Sequence, residues 1–164
     1  MPQNQTPTSF SGAITKHLPL VEKVLLTTLV IGTILRVMHL DSSVTKVSLL
    51  GLGVTFFLFA YRPNEIPREE NEQFGFPDLL VLTIVPKVLW ISSAISALGI
   101  ALYLVDLGNE GYKRLLMIGG MTIGGATVIL LFSFAKGVKH LETVTPVLLR
   151  AIPLLLVDFY ILFR

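Results

Sequence analysis

Apolar residues fall in five blocks along the chain, with polar and charged residues between them. The blocks place helices at about 18–40, 44–61, 79–106, 112–136 and 143–164. Val88 to Val105 contains no charge, and neither does Leu115 to Ala135. A soluble core does not need uninterrupted apolar runs approaching the roughly 20 residues of a bilayer span. The pattern predicts an all-α fold, a polytopic helical membrane bundle. Residues 1–16 are rich in Gln, Asn, Thr, Ser and Pro and read as a disordered tail. Residues 17–164 then form a single transmembrane domain.

The blocks are also related to one another. Val21-Glu22-Lys23-Val24-Leu25-Leu26 returns 64 residues later as Val85-Pro86-Lys87-Val88-Leu89-Trp90. Each hexamer opens a long apolar stretch, which breaks at a polar turn and resumes with small residues. The first unit turns at Leu40-Asp41 and Lys46 and continues through Leu49 to Gly53. The second turns at Val105-Asp106 and Lys113-Arg114 and continues through Leu115 to Gly120. The expected architecture is two hairpins plus a C-terminal fifth helix. Two spans per hairpin insert both copies the same way up, a parallel rather than an inverted repeat.

Arg62-Pro63-Asn64 stops the second helix, because proline cannot continue the backbone ladder. The acidic loop that follows (Glu65, Glu69, Glu70, Glu72) joins the hairpins and stays solvated. Two readings fit the start of the third helix: one long helix kinked at Pro86, or a short interfacial helix over Leu79 to Val85. The last block holds Pro146, Arg150, Pro153 and Asp158. A central arginine or aspartate costs roughly 2.5–3.5 kcal/mol on insertion. A fifth span is the favoured reading, with an interfacial or re-entrant helix as the alternative.

Hydrophobic residues make up 52% of the chain and charged residues 15%, consistent with the membrane reading. There is no cysteine, which excludes disulfides, thiol catalysis and cysteine-ligated metals. Met1 to Ser11 has no basic n-region, so the first apolar helix acts as an uncleaved signal. Asn4-Gln5-Thr6 has the form of a glycosylation sequon but is followed by Pro7 and carries no weight. The net charge of +2 leaves no patch for nucleic acid. On the amino-terminal side of a five-span topology lie Lys16, Lys23, Arg62, Arg68, Lys136 and Lys139, with Lys87 and Arg150 at the boundary. Arg36, Lys46, Lys113, Arg114 and Arg164 lie opposite. This eight-to-five split of the 13 basic residues predicts a cytoplasmic amino terminus.

Small residues are the clearest constellation. Gly120 and Gly124 form a GxxxG step, Ser92 and Ser96 repeat at four-residue spacing, and Gly51 and Gly53 sit in the second helix. Lipid gives helices no hydrophobic reason to associate, so close approach over small residues supplies the contacts. These residues are expected to pack within the bundle, in a homo-oligomer or against a membrane-complex partner. A bis-histidine haem is not expected, since His39 and His140 close helices on opposite sides and His17 opens the first helix. Lys23, Lys87 and Arg36 lie near helix ends and are expected to snorkel. Arg150 and Asp158, about 12 Å apart along one helix and some 80° around it, are poor partners for each other. Each needs water, a lipid headgroup or another helix. No nucleophile–base pair, carboxylate pair or metal-ligand cluster shares a face, so no catalytic residue, metal or cofactor is expected.

Gly32-Thr33-Ile34-Leu35-Arg36-Val37-Met38-His39-Leu40, followed by Gly51 and ending in Ala60-Tyr61-Arg62-Pro63, resembles a membrane hairpin found in Bacteroidota. Over roughly residues 20–63 it is similar to the two-helix stator subunit of the gliding-motility and type IX secretion motor. The resemblance implies a hairpin in a bacterial inner membrane. In that family a membrane-embedded glutamate of the second helix is thought to carry proton coupling. This chain has Thr55 near that position and no carboxylate in its second helix, which argues against a proton-driven stator. Two functional expectations remain. One is a non-enzymatic structural or accessory subunit packing through small-residue faces. The other is a small transporter or channel whose polar path uses Arg150, Asp158 and Thr55 or Thr122.

Overall fold

A computed structural model of the chain describes residues 10–39, 43–62, 75–106, 110–136 and 143–164. The helices are α1 (Phe10–Val37), α2 (Ser43–Ala60), α3 (Phe76–Leu79), α4 (Val85–Val105), α5 (Gly111–Ala135) and α6 (Thr145–Phe163). A π-helical turn, Leu80–Ile84, joins α3 to α4 without a break. The fold is an all-α bundle, and no strand occurs among the described residues. Five helices are long and apolar enough to cross a membrane, counting the π turn with α4. α6 is among them despite Arg150 and Asp158.

Contacts fix the helix directions. Gly32 meets Thr45 while Gly51 meets Leu25, so partner numbers fall as residue numbers rise and α2 runs antiparallel to α1. Gly53 meets Leu98 and Phe59 meets Trp90, which makes α4 antiparallel to α2. Gly119 against Ser96 and Tyr112 against Tyr103 do the same for α5 and α4. α6 runs parallel to α4, since Arg150 lies over Trp90 and Ser96 meets Asp158. α4 is therefore the central element, packed against α2, α5 and α6. Its buried face carries Ser92, Ser93, Ala94, Ser96, Ala97, Gly99 and Ala101. Side chains this small let three helices approach one axis.

Two of the close approaches have a backbone atom on one side. A Cβ on Gly32 would stand 2.8 Å from the Thr45 nitrogen, and one on Gly119 would stand 3.0 Å from the Ser96 nitrogen. Outward faces stay apolar, with Val30 and Ile34 on α1, Leu131 and Phe132 on α5, and Leu156 and Tyr160 on α6 exposed. Apolar patches of this extent face lipid or protein rather than water.

Several boundaries differ from the sequence expectation. Residues 10–16, expected in the tail, belong to α1, and Pro19 lies inside the helix rather than at its start. A helix already nucleated tolerates the loss of one backbone donor when its neighbours propagate readily. Residues 1–9 lie outside the described residues, as do Asp41, the acidic 63–74 loop and His140. α1 and α4 end in residues with left-handed backbone, His39 at φ 58° and Asp106 at φ 52°. The Asp106 N–H bonds back to the Leu102 and Tyr103 carbonyls, closing the last turn. The long-helix reading of the third helix agrees with the unbroken helical run from Phe76 to Val105, with a π-helical turn just before Pro86. The Val85 N–H reaches the Leu80 carbonyl, one residue further than in an α-helix, and this wider turn leads into the proline.

Candidate functional site

Two buried polar clusters lie inside the bundle, one toward each end of α6. The first joins α1, α4 and α6. Glu22 on α1 is nearly fully buried, with its side chain 3% exposed. The Arg150 guanidinium grips it through two donors. Nε donates to Glu22 Oε1, and Nη2 donates to Oε2 at 3.2 Å. Nη1 donates to the Pro146 carbonyl of its own helix at 2.7 Å. The guanidinium carbon also lies 5.8 Å from the centre of the Trp90 ring. Trp90 in turn stacks on Phe59 at 4.7 Å and meets Phe56 at 5.5 Å, which ties α2 to the same point.

Depth explains why these residues meet. α1 and α6 run the same way, Glu22 lies five residues past His17, and Arg150 lies five past Thr145. At 1.5 Å per residue both sit about 7.5 Å into their spans from the same side. A carboxylate and a guanidinium taken out of water need each other and additional hydrogen bonds to offset desolvation. The fork geometry of arginine supplies both.

The second cluster lies where α4, α5 and α6 converge. Asp158 is fully buried, and Ser96 Oγ donates to its Oδ2 at 2.6 Å. Asp158 Oδ1 and the buried Ser93 Oγ have no hydrogen-bond partner among the described residues. Gly119 and Gly120 make the room: Gly119 rests on Ser96, and a Cβ at Gly120 would stand 3.5 Å from Asp158 Oδ2. A groove of about 280 Å³ opens between α5 and α6 at this level, with Gly120 and Asp158 among its lining residues.

The sequence-derived candidates separate accordingly. Arg150 and Asp158 both point inward and hold different partners, so neither snorkels as expected of a lone charge. Ser96 bonds Asp158, whereas Ser92 Oγ is spent on the Val88 and Leu89 carbonyls of its own helix. Gly53 packs on Leu98 and Gly51 on Leu25, placing both in helix contacts. Gly120 faces Asp158, but a Cβ on Gly124 would meet nothing within 4 Å. The close approach of α5 to α4 runs through Gly119 rather than Gly124. Thr55 and Thr122 donate to the Gly51 and Ile118 carbonyls of their own helices. Lys23, Lys87 and Arg36 are exposed.

Glu22 was missed by the sequence reading, hidden by the repeat because the equivalent position in the second hexamer is Pro86. Its signal was available in the match of opposite charges at equal depth. Among the described residues no three His, Asp or Glu side chains group as metal ligands. Comparison with protein families, with curated proteins and with solved structures gave no match to this chain. Fold and site together describe an all-α bundle compatible with an integral membrane protein. Its two inward-facing α6 charges each meet a side chain of another helix.

Proposed function

We propose that the chain is a non-enzymatic structural or accessory subunit of a membrane assembly, a bundle whose job is to present lipid- and partner-facing helices. The observation that carries this reading is that each α6 charge is engaged by a side chain of another helix. Arg150 is held by Glu22 and Asp158 by Ser96, and every residue from Ala151 to Val157 between them is apolar. A permeation path needs polar groups in succession, and α6 does not offer them. The residual resemblance of residues 20–63 to a motor-stator hairpin points toward assembly as well. It supports a bacterial inner membrane, and the bias of basic residues supports a cytoplasmic amino terminus. The duplicated-hairpin reading gains support from Gly32 and Ser96. They are 64 residues apart, and each lies at a close approach within its own hairpin.

The test combines purification from native membrane with reconstitution. A subunit of this kind is expected to co-purify in mild detergent with a membrane partner or with further copies of itself. In proteoliposomes it should pass protons, sodium and potassium no faster than protein-free vesicles. Ion flux that disappears in Asp158→Leu would overturn the reading and favour the transporter alternative, for which the specific observation is Asp158 Oδ1, without a hydrogen-bond partner among the described residues.

A further inference from the structure

The α5–α6 groove combines three features that ordinary lipid-facing surface does not. It is a slot between two helices, walled by Met117, Met121, Phe159 and Phe163. Gly120 opens its base, since any larger side chain there would project over Asp158. At that base lies a carboxyl group that is fully buried and has an oxygen without a hydrogen-bond partner among the described residues. A bilayer core has no water to satisfy such an oxygen, and an unsatisfied group there costs several kcal/mol.

We propose that this groove binds a single-chain amphiphile bearing a hydroxyl group, with its hydrocarbon chain along the methionine and phenylalanine walls and its hydroxyl donating to Asp158. Three arguments select this occupant. The lining is apolar except for Asp158, which suits a hydrocarbon chain carrying one polar group. Asp158 lies five residues before the end of α6 at Phe163, about 7.5 Å inside the span. Drawing a zwitterionic or phosphate headgroup to that depth strips its hydration, whereas one hydroxyl loses little and regains a hydrogen bond. An anionic head is disfavoured beside a carboxyl group. Access comes from the unbranched side chains of Met117 and Met121, which change rotamer readily.

The full chain in phosphatidylcholine nanodiscs, irradiated with a diazirine-bearing hexadecanol, tests this directly. Label should concentrate on the α5 and α6 peptides containing Met117, Met121, Phe159 and Phe163. It should exceed that from the matching methyl ether by about tenfold, the ratio expected of one hydrogen bond to a carboxyl group. Gly120→Leu fills the groove and Asp158→Leu removes the acceptor; either should bring alcohol labelling down to the ether level in protein that remains monodisperse. Equal labelling by alcohol and ether overturns the proposal. So does label spread evenly over the exposed faces of α1 and α6. A photocrosslinker at Met121 that captures a protein instead of the alcohol in native membranes would assign the groove to a partner helix and sink it as well.

Discussion

Replacing Arg150 with leucine removes the guanidinium that neutralises Glu22 and leaves a carboxylate 3% exposed with its counter-charge gone. Breaking a buried pair this way costs about 3–5 kcal/mol in soluble proteins. Hydrogen bonds between membrane helices average only about 0.6 kcal/mol, because the unfolded state in the bilayer finds substitutes. The larger figure should govern here. Among the described residues no other arginine or lysine forms an ion pair with Glu22, and its neighbour Lys23 is exposed. Glu22→Leu should cost less, about 1–2 kcal/mol, since Arg150 is 35% exposed and can extend toward the headgroups. The double variant should fall near wild type, because replacing a buried pair by well-packed apolar groups is often neutral or stabilising. The coupling between the two sites should therefore be about 4–7 kcal/mol in magnitude, the sum of the two single losses. Unfolding in mixed micelles with rising dodecyl sulfate measures all four proteins. Trp90, the single tryptophan, packs against Arg150 and reports the transition by fluorescence. A loss under about 1 kcal/mol for Arg150→Leu, with the two single effects simply adding, would refute the argument that this pair clasps the first helix to the last.

Glycine substitutions distinguish contact from mere composition. Gly32→Ala and Gly119→Ala press a methyl group onto backbone atoms at 2.8 and 3.0 Å and should each cost about 1–3 kcal/mol in the same unfolding assay. Gly124→Ala meets open space and should be neutral, or gain up to about 1 kcal/mol from helix propensity. Trp90→Ala strips the ring from Phe59, Phe56 and Arg150 together and should cost about 3–5 kcal/mol, followed by circular dichroism during heating. Ser96→Ala removes the hydrogen bond donated to Asp158 and should cost about 1–3 kcal/mol in the same unfolding assay. Because the chain has no native cysteine, single cysteines at Gln3 and Arg164 report sidedness cleanly. Impermeant maleimide added to intact cells should label position 164 and not position 3, and the reverse pattern would invert the proposed orientation.

The spans were legible because a membrane helix must be apolar along its whole length, and five such lengths stand out against polar breaks. Which side of each helix meets a neighbour was far less legible, and the reason is physical. Lipid tails are as apolar as leucine, so a lipid-facing side and a packed side need not differ in hydrophobicity. Within Gly119-Gly120-Met121-Thr122-Ile123-Gly124-Gly125 the composition cannot say that Gly119 meets Ser96 while Gly124 meets nothing. Polar residues escape this degeneracy because each must find a partner at its own depth. For Glu22, the cations inside the described spans on the same side are Lys23, Lys87 and Arg150. Lys23 is the next residue on the same helix and points about 100° away. Lys87 lies seven residues past Leu80, about 10.5 Å in, deeper than Glu22. Arg150 alone combines equal depth with a fork of donors able to satisfy both carboxylate oxygens. Matching charges by depth would thus have placed α6 beside α1, an adjacency that the paired-hairpin repeat does not suggest. The same reasoning stops at Asp158, whose one hydrogen bond among the described residues comes from a serine and for which no cation of the described spans lies at equal depth. A carboxyl group that depth-matching leaves half-partnered is where this fold is still open to a ligand.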